Sequence, residues 1–255
     1  MEITFLGTGT STGVPLIGSN HPVCKSDNPK DKRLRSSILV SHNDFSFVID
    51  TGPDFRQQML TYNQSKINAI IYTHEHFDHT SGIDDLRGFC FKQGKIPIYA
   101  HKRVLENLKN RYSYIFNDLD RYKGAANLKP VEIHENKNFT ISKMEITPIK
   151  YMHGKLQVFG YRFKDFAYLT DLKTIDKNEI CKLKDLEVLV LNCIRIEPHY
   201  SHLNLQEAID LINKIKPKKT YLTHISHLLG FHDQVQKSLP KNIYLSYDGL
   251  KINLS

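Results

Sequence analysis

The chain has 255 residues, 40% hydrophobic and 24% charged, with a formal net charge of +8. This is the make-up of one soluble globular domain over residues 1–255. No apolar run approaches the roughly 18 residues of a membrane span, and Cys24, Cys90, Cys181 and Cys193 are too scattered for a disulfide scaffold. The opening "MEITFLGTG" starts as a strand without a signal-peptide core, so a cytoplasmic protein is expected. The positive charge favours anionic ligands, although runs such as "KPKK" at 216–219 read as solvated faces.

Strand patterns begin with "EITFLG". The loop "GTGTSTG" at 7–13 spaces its glycines as G-x-G-x-x-x-G, has no P-loop lysine and is followed by "VPLIG" rather than a helix. It is read as a tight turn that delivers small residues near a site. "SSILVS" and "FSFVID" continue the strands. "PDFRQQMLTYN" is predicted helical, with Pro53 early in the helix and Thr51 as its cap. "NAIIYTH" and "IPIYAH" are strands, and "KRVLENLKNRY" is a helix. The segment "NRYSYIFNDLDRYKG" at 110–124 reads as a helix and lid packing its aromatics, with base stacking as the lesser alternative. "MEITPI", "FAYLTD", "LEVLVLNC", "KTYLTH" and "NIYLSYDGLKINL" are further strands. "NLQEAIDLINKI" forms a helix behind an Asn204 cap. This order predicts an α/β fold of two sheets with helices outside.

The chemistry concentrates in "YTHEHFDHTSGIDDLR" at 72–87, which places His74, His76, Asp78 and His79 directly after an apolar strand. Alternation along an extended segment points His74 and His76 to one side, and Asp78 and His79 round the turn beside them. An imidazole pair and a carboxylate–imidazole pair are enough to begin two adjacent metal sites. Candidate partners stand at other strand ends: His153 in "YMHG", Asp171 in "YLTD" and His224 in "YLTH".

The stretches "THEHFDHTSGIDDLR", "IDTGPDFRQQ", "SDNPKDKRLRSS" and "LTHISH…YDGLKI" together resemble the metallo-β-lactamase-fold hydrolases, in the branch with the cyclic phosphodiesterase of bacterial phosphonate breakdown. The resemblance runs from Gly7 to Ile252. It implies an αββα sandwich, and two divalent metal ions, zinc or manganese. His74, His76 and His153 would hold one ion, Asp78, His79 and His224 the other, and Asp171 would bridge them. Two cations about 3.5–4 Å apart lower the pKa of a shared water and neutralise charge in displacement at phosphorus. Asp78 could also orient the attacking water. His202 in "HYSHLNLQEA" is the candidate acid for the leaving group, and His199 competes for that role.

The expected activity is hydrolysis of a small cyclic or nucleotide-like phosphodiester. The alternatives are a tRNA 3′-processing ribonuclease, a thioester or lactam hydrolase, and a non-enzymatic metal-sensing or scaffold role. RNA is thus a lesser partner, no membrane is expected, and a homodimer is possible. Relatives in this branch carry C-x-C-x-x-C after the first glycine loop, which holds a third, structural zinc together with a distant histidine. Here Ser19, His21 and Cys24 stand at those positions and His227 is the distant residue; serine being a poor ligand, two outcomes are open, a retained or partly retained zinc on His21, Cys24 and His227, which is favoured, or no structural metal.

Overall fold

The structure, a computed structural model, describes residues 1–117 and 122–254. Its strands are β1 (Glu2–Gly7), β2 (Ser37–His42), β3 (Phe45–Ile49), β4 (Ala69–Ile71), β5 (Ile96–His101), β6 (Leu128–Ile133), β7 (Phe139–Ile141), β8 (Met144–His153), β9 (Leu156–Phe163), β10 (Phe166–Leu169), β11 (Val188–Asn192), β12 (Lys219–Thr223), β13 (Ile243–Leu245) and β14 (Lys251–Asn253). The helices are α1 (Phe55–Thr61), α2 (Phe77–Thr80), α3 (Arg87–Gln93), α4 (Lys102–Arg111), α5 (Ser113–Phe116), α6 (Lys177–Cys181), α7 (Leu205–Ile215) and α8 (His232–Ser238). Two mixed seven-stranded sheets result, ordered β14-β1-β2-β3-β4-β5-β6 and β13-β12-β11-β10-β9-β8-β7.

Alternation along each strand decides what meets what. Phe47 and Ile49 of β3 point between the sheets, where they share a core with Tyr161, Phe163 and Val190 of the second sheet. Val48 faces the other way and joins Phe55 and Met59 of α1 and Val104 and Leu108 of α4. In β11, Val188 and Val190 point inward, while Leu189 and Leu191 pack outward with Ala208, Leu211 and Ile212 of α7. Three apolar layers, one between the sheets and one under each set of helices, make the expected αββα sandwich.

The chain closes on itself at one edge. β14 pairs antiparallel with β1, setting Glu2 opposite Asn253. The Met1 amine donates to the Leu254 carbonyl at 2.9 Å, and the Leu254 amide donates back to Met1 at 2.8 Å. At its other end β1 leads into the glycine loop. Gly9 bridges both Arg35 and Ile225, and an added Cβ there would lie 2.9 Å from the Arg33 carbonyl. The loop is therefore a close backbone approach beside His224, as its small residues imply.

Several elements differ from the sequence expectation. The run "NIYLSYDGLKINL" is two strands in different sheets, β13 and β14, because Ser246 to Leu250 cross from one sheet to the other. β6 contains Pro130 and forms an edge of its sheet, the position where a missing amide proton is tolerated. β9 carries Gly160, whose added Cβ would lie 2.6 Å from the Tyr168 carbonyl, so glycine here permits close strand approach instead of ending the strand. Thr51 does not cap α1. Asp54 holds the cap position but its carboxylate accepts from the Arg35 amide at 2.8 Å, and the Thr51 hydroxyl pairs with that of Tyr72 at 2.8 Å. Of the aromatic segment at 110–124, residues 118–121 lie outside the described residues, while Tyr112 and Phe116 pack against the core under α4.

Helix α7 starts with a capping box: the Asn204 side chain accepts from the Glu207 amide, and the Glu207 side chain accepts from the Asn204 amide, both at 2.9 Å. Replacing Asn204 with Ala should lower unfolding free energy by about 1 kcal/mol. Chemical denaturation should show a lower midpoint with an unchanged slope.

Candidate metal centre

The seven residues predicted to hold the two ions sit at the carboxyl end of a strand or in the loop or short helix that follows it. β4 is followed by His74, and His76 occupies the cap position of α2, whose first turn presents Asp78 and His79. β8 ends on His153, β10 leads to Asp171, and β12 leads to His224. Asp171 and His224 have φ of +58° and +56°, a left-handed backbone that ordinary side chains rarely adopt and that concentrates at functional sites.

These donors gather in overlapping sets. Within each set, one donor atom per residue lies within 4.8 Å of the others: His74, His76 and His153; Asp78, His79, Asp171 and His224; and His153, Asp171 and His202. His74 Nε2 is 2.9 Å from His76 Nδ1. His79 Nε2 lies 3.1 Å from Asp78 Oδ2 and 3.2 Å from Asp171 Oδ2. The other oxygen of Asp171, Oδ1, faces His224 Nε2 at 3.3 Å, His202 Nδ1 at 3.7 Å and His153 Nε2 at 4.0 Å. Asp171 thus stands between the sets.

Donor chemistry suits a cation. The Nε2 atoms of His79 and His224 are buried without a hydrogen-bond partner, although each faces carboxylate oxygens, and so they converge where a metal ion would supply the missing bond. Burial alone would push His79 down, but Asp78, Asp171 and Asp50 raise it well above the ordinary histidine value. Burial acts to raise Asp78 and Asp171, yet the facing histidines, His79 and His224, outweigh it and hold both well below the usual carboxylate range. Burial lowers His74 and His76. Ionised carboxylates and neutral imidazoles are the metal-binding forms, and a cation beside His79 would replace its proton. Phe77 and Tyr200, 60% and 85% exposed, flank the donors in sequence and mark the solvent side.

His202 is buried near Asp171, and burial pushes its pKa down to about 2. His199 lies farther out: its Nδ1 accepts from the Ser201 amide at 3.3 Å, its ring is 5.0 Å from that of His202, and it belongs to none of the donor sets among the described residues.

The three residues expected to hold a structural zinc are not brought together as a donor set among the described residues. The rings of His21 and His227 do approach to 5.0 Å. However, His21 Nδ1 accepts from the Val23 amide at 3.3 Å, capping its own turn, and Cys24 is buried in an apolar cluster with Val14 and Val23.

Sequence reading missed the supports of the centre. Asp50, also left-handed at φ +66°, accepts from His79 Nδ1 at 2.7 Å, from the Thr73 amide at 2.8 Å and from its hydroxyl at 2.8 Å. It ends "FSFVID" just as Asp171 ends "FAYLTD", so the signal that found one applied to the other. A layer of buried tyrosines lies beneath. The Tyr161 hydroxyl donates to the Tyr72 carbonyl at 2.6 Å and that of Tyr151 to the Thr170 carbonyl at 2.5 Å. His153 is held in turn through Nδ1, 2.8 Å from the Ser201 carbonyl.

Comparison with known proteins agrees with this architecture. The beta-lactamase superfamily domain matches residues 46–225, which include His74 to His224. A crystal structure described as a new diphosphatase from the PhnP family superimposes with a TM-score of 0.93 at 37% identity, covering 100% of this chain and 98% of that one. An octanoyltransferase of Porphyromonas gingivalis is 38% identical over 253 residues, 98% of this chain and 51% of that protein, so the chain spans about half its length. A ribonuclease Z of Methanocaldococcus jannaschii is 29% identical over 174 residues, 65% of this chain and 48% of that protein.

Asp50 orients His79 without joining a donor set. Asp50→Asn should therefore weaken metal retention about 10- to 100-fold, the usual loss for a carboxylate behind a metal-binding histidine. Chelator competition followed by elemental analysis measures it, and unchanged retention would remove Asp50 from the centre.

Proposed function

The chain belongs to the beta-lactamase superfamily, in its PhnP-family branch, and on that premise we propose that it is a hydrolase acting at phosphorus on a small phosphodiester or a diphosphate, with two divalent cations. The observation that carries this reading is Asp171, whose carboxylate faces both histidine sets: His79 and His224 on one side, at 3.2 and 3.3 Å, and His153 on the other, at 4.0 Å. In this reading His74, His76 and His153 hold one ion, Asp78, His79 and His224 the other, and Asp171 is shared. Imidazole and carboxylate donors suit zinc or manganese. When bound, such a pair lowers the pKa of a shared water and offsets the negative charge that develops in the displacement.

The remaining work falls to the chain. Asp78 is assigned the orientation of the attacking water. His202, on the Oδ1 side of Asp171, is assigned proton donation to the departing oxygen; burial disfavours its protonated form, and the negative charge of an anionic substrate beside its ring would act against that. Asp50 keeps the His79 ring turned inward. The net charge of +8 supports an anionic substrate, and the similarity to a protein described as a diphosphatase supports phosphorus over carbon as the centre attacked. The octanoyltransferase similarity favours a second reading, acyl thioester hydrolysis, and the ribonuclease Z similarity a third, RNA cleavage.

A panel of metal-reconstituted assays separates the three. Turnover of 2′,3′-cyclic nucleotides, cyclic ribose phosphates, bis(p-nitrophenyl) phosphate or a dinucleoside diphosphate, without cleavage of pre-tRNA or a thioester, is the expected outcome. Thioester or pre-tRNA cleavage alone would overturn it. Asp171→Ala should strip both ions, as seen by elemental analysis. His202→Ala should keep both ions and lose roughly 10²–10⁴ in turnover on an alkoxide leaving group, with a much smaller loss on a nitrophenolate. Equal losses on the two leaving groups would rule out proton donation by His202.

A further inference from the structure

We propose that Arg103 is a positioning residue for one half of the metal centre: by holding Glu75 and the Gln157 carbonyl together, it sets the placement of His74 and His76 relative to His153. This rests on the dinuclear reading above.

Glu75 lies between His74 and His76 in sequence, with its side chain directed away toward α4. Arg103 Nε donates to Glu75 Oε1 at 2.9 Å and Nη2 to Oε2 at 3.1 Å, a two-pronged, charge-assisted grip that lysine cannot reproduce. The same Nη2 donates to the Gln157 carbonyl. Gln157 pairs with Met152 in the β8–β9 ladder, and the next pair is His153 with Leu156. One guanidinium thus ties the segment that carries His74 and His76 to β9, the strand paired with β8, which ends on His153. Asp78, His79, Asp171 and His224 are not among its hydrogen-bond partners in the described residues.

The platform under this tie is stiff. Arg103 is in the first turn of α4, which is anchored by buried Val104, Leu105 and Leu108. At the far end of the helix, Arg111 donates to the Glu75 carbonyl at 2.7 Å and to the Thr80 hydroxyl at 3.4 Å. That hydroxyl donates to the His76 carbonyl at 2.8 Å. The Arg103 and Glu75 side chains are 34% and 15% exposed. As a surface ion pair alone they would contribute little; the shared carbonyl on the strand paired with β8, next to His153, gives the pair its positional role.

The test is chelator competition on the zinc-loaded protein, with retained zinc counted by elemental analysis and melting temperature followed in excess zinc. Wild type should release two equivalents. Arg103→Gln should release one of them at about 10- to 100-fold lower chelator, the other unchanged, and Arg103→Lys should fall between. Glu75→Gln should reproduce the selective loss, and the double variant should add nothing to it. Two wild-type equivalents that shift equally in Arg103→Gln, or do not shift, overturn the inference and leave the dinuclear reading standing. A wild type that holds a single ion overturns the dinuclear reading, and this inference with it.

Discussion

A carboxylate only 2% exposed among imidazoles sets the terms for this molecule. Asp171 is ionised and buried, and such a charge persists only where partners replace the water it has lost. Its partners come from both halves of the sandwich: His79 follows β4 of the first sheet, while His153, His202 and His224 follow β8, β11 and β12 of the second. The sheets must therefore end in register on one side. Packing of Phe47 and Ile49 against Phe163 and Val190 is as much a condition for the chemistry as for the fold.

The donors are held by the backbone at some energetic cost. Asp50, Asp171 and His224 all adopt a left-handed conformation, worth of order 1–3 kcal/mol of strain each. Opposing it are the tyrosine hydroxyls of the inner layer, which fasten the carbonyls of Tyr72 and Thr170 just ahead of His74 and Asp171. The turns are thus shaped from below by packed, hydrogen-bonded core.

The sequence made the ligands easy to read and their supports hard. Imidazoles and carboxylates crowded after an apolar strand have few other uses, so His74 to His79 stand out, and Asp171 and His224 follow from the same strand-end pattern. Asp50 has that pattern as well, at the end of "FSFVID", and nothing in its local sequence shows that the fold sets it behind His79. Arg103 and Glu75 resemble any solvated pair, because only the fold brings α4 over the β8–β9 hairpin. Residue type was enough to mark β3 and β11 as strands. It failed where tertiary position overrode local preference: at Pro130, tolerated on an edge, at Gly160, required by close approach, and at Ser246 to Leu250, where one apolar pattern serves two sheets. The structural zinc site is a different case: His21 and His227 meet, with ring centroids 5.0 Å apart, while Cys24 packs with Val14 and Val23.

The pairing of β1 with β14 reaches beyond the sheet edge it completes. β1 runs from the paired chain ends toward the loop beside His224, so a six-residue strand, about 20 Å long, separates Met1 and Leu254 from that loop. They also lie beside each other. A second folding unit joined at either end would leave from the same corner, on the side away from the open face of the site. Tethering would then restrict where the domain travels without obstructing what enters it, and the attachment could move from one end to the other with no strand rebuilt.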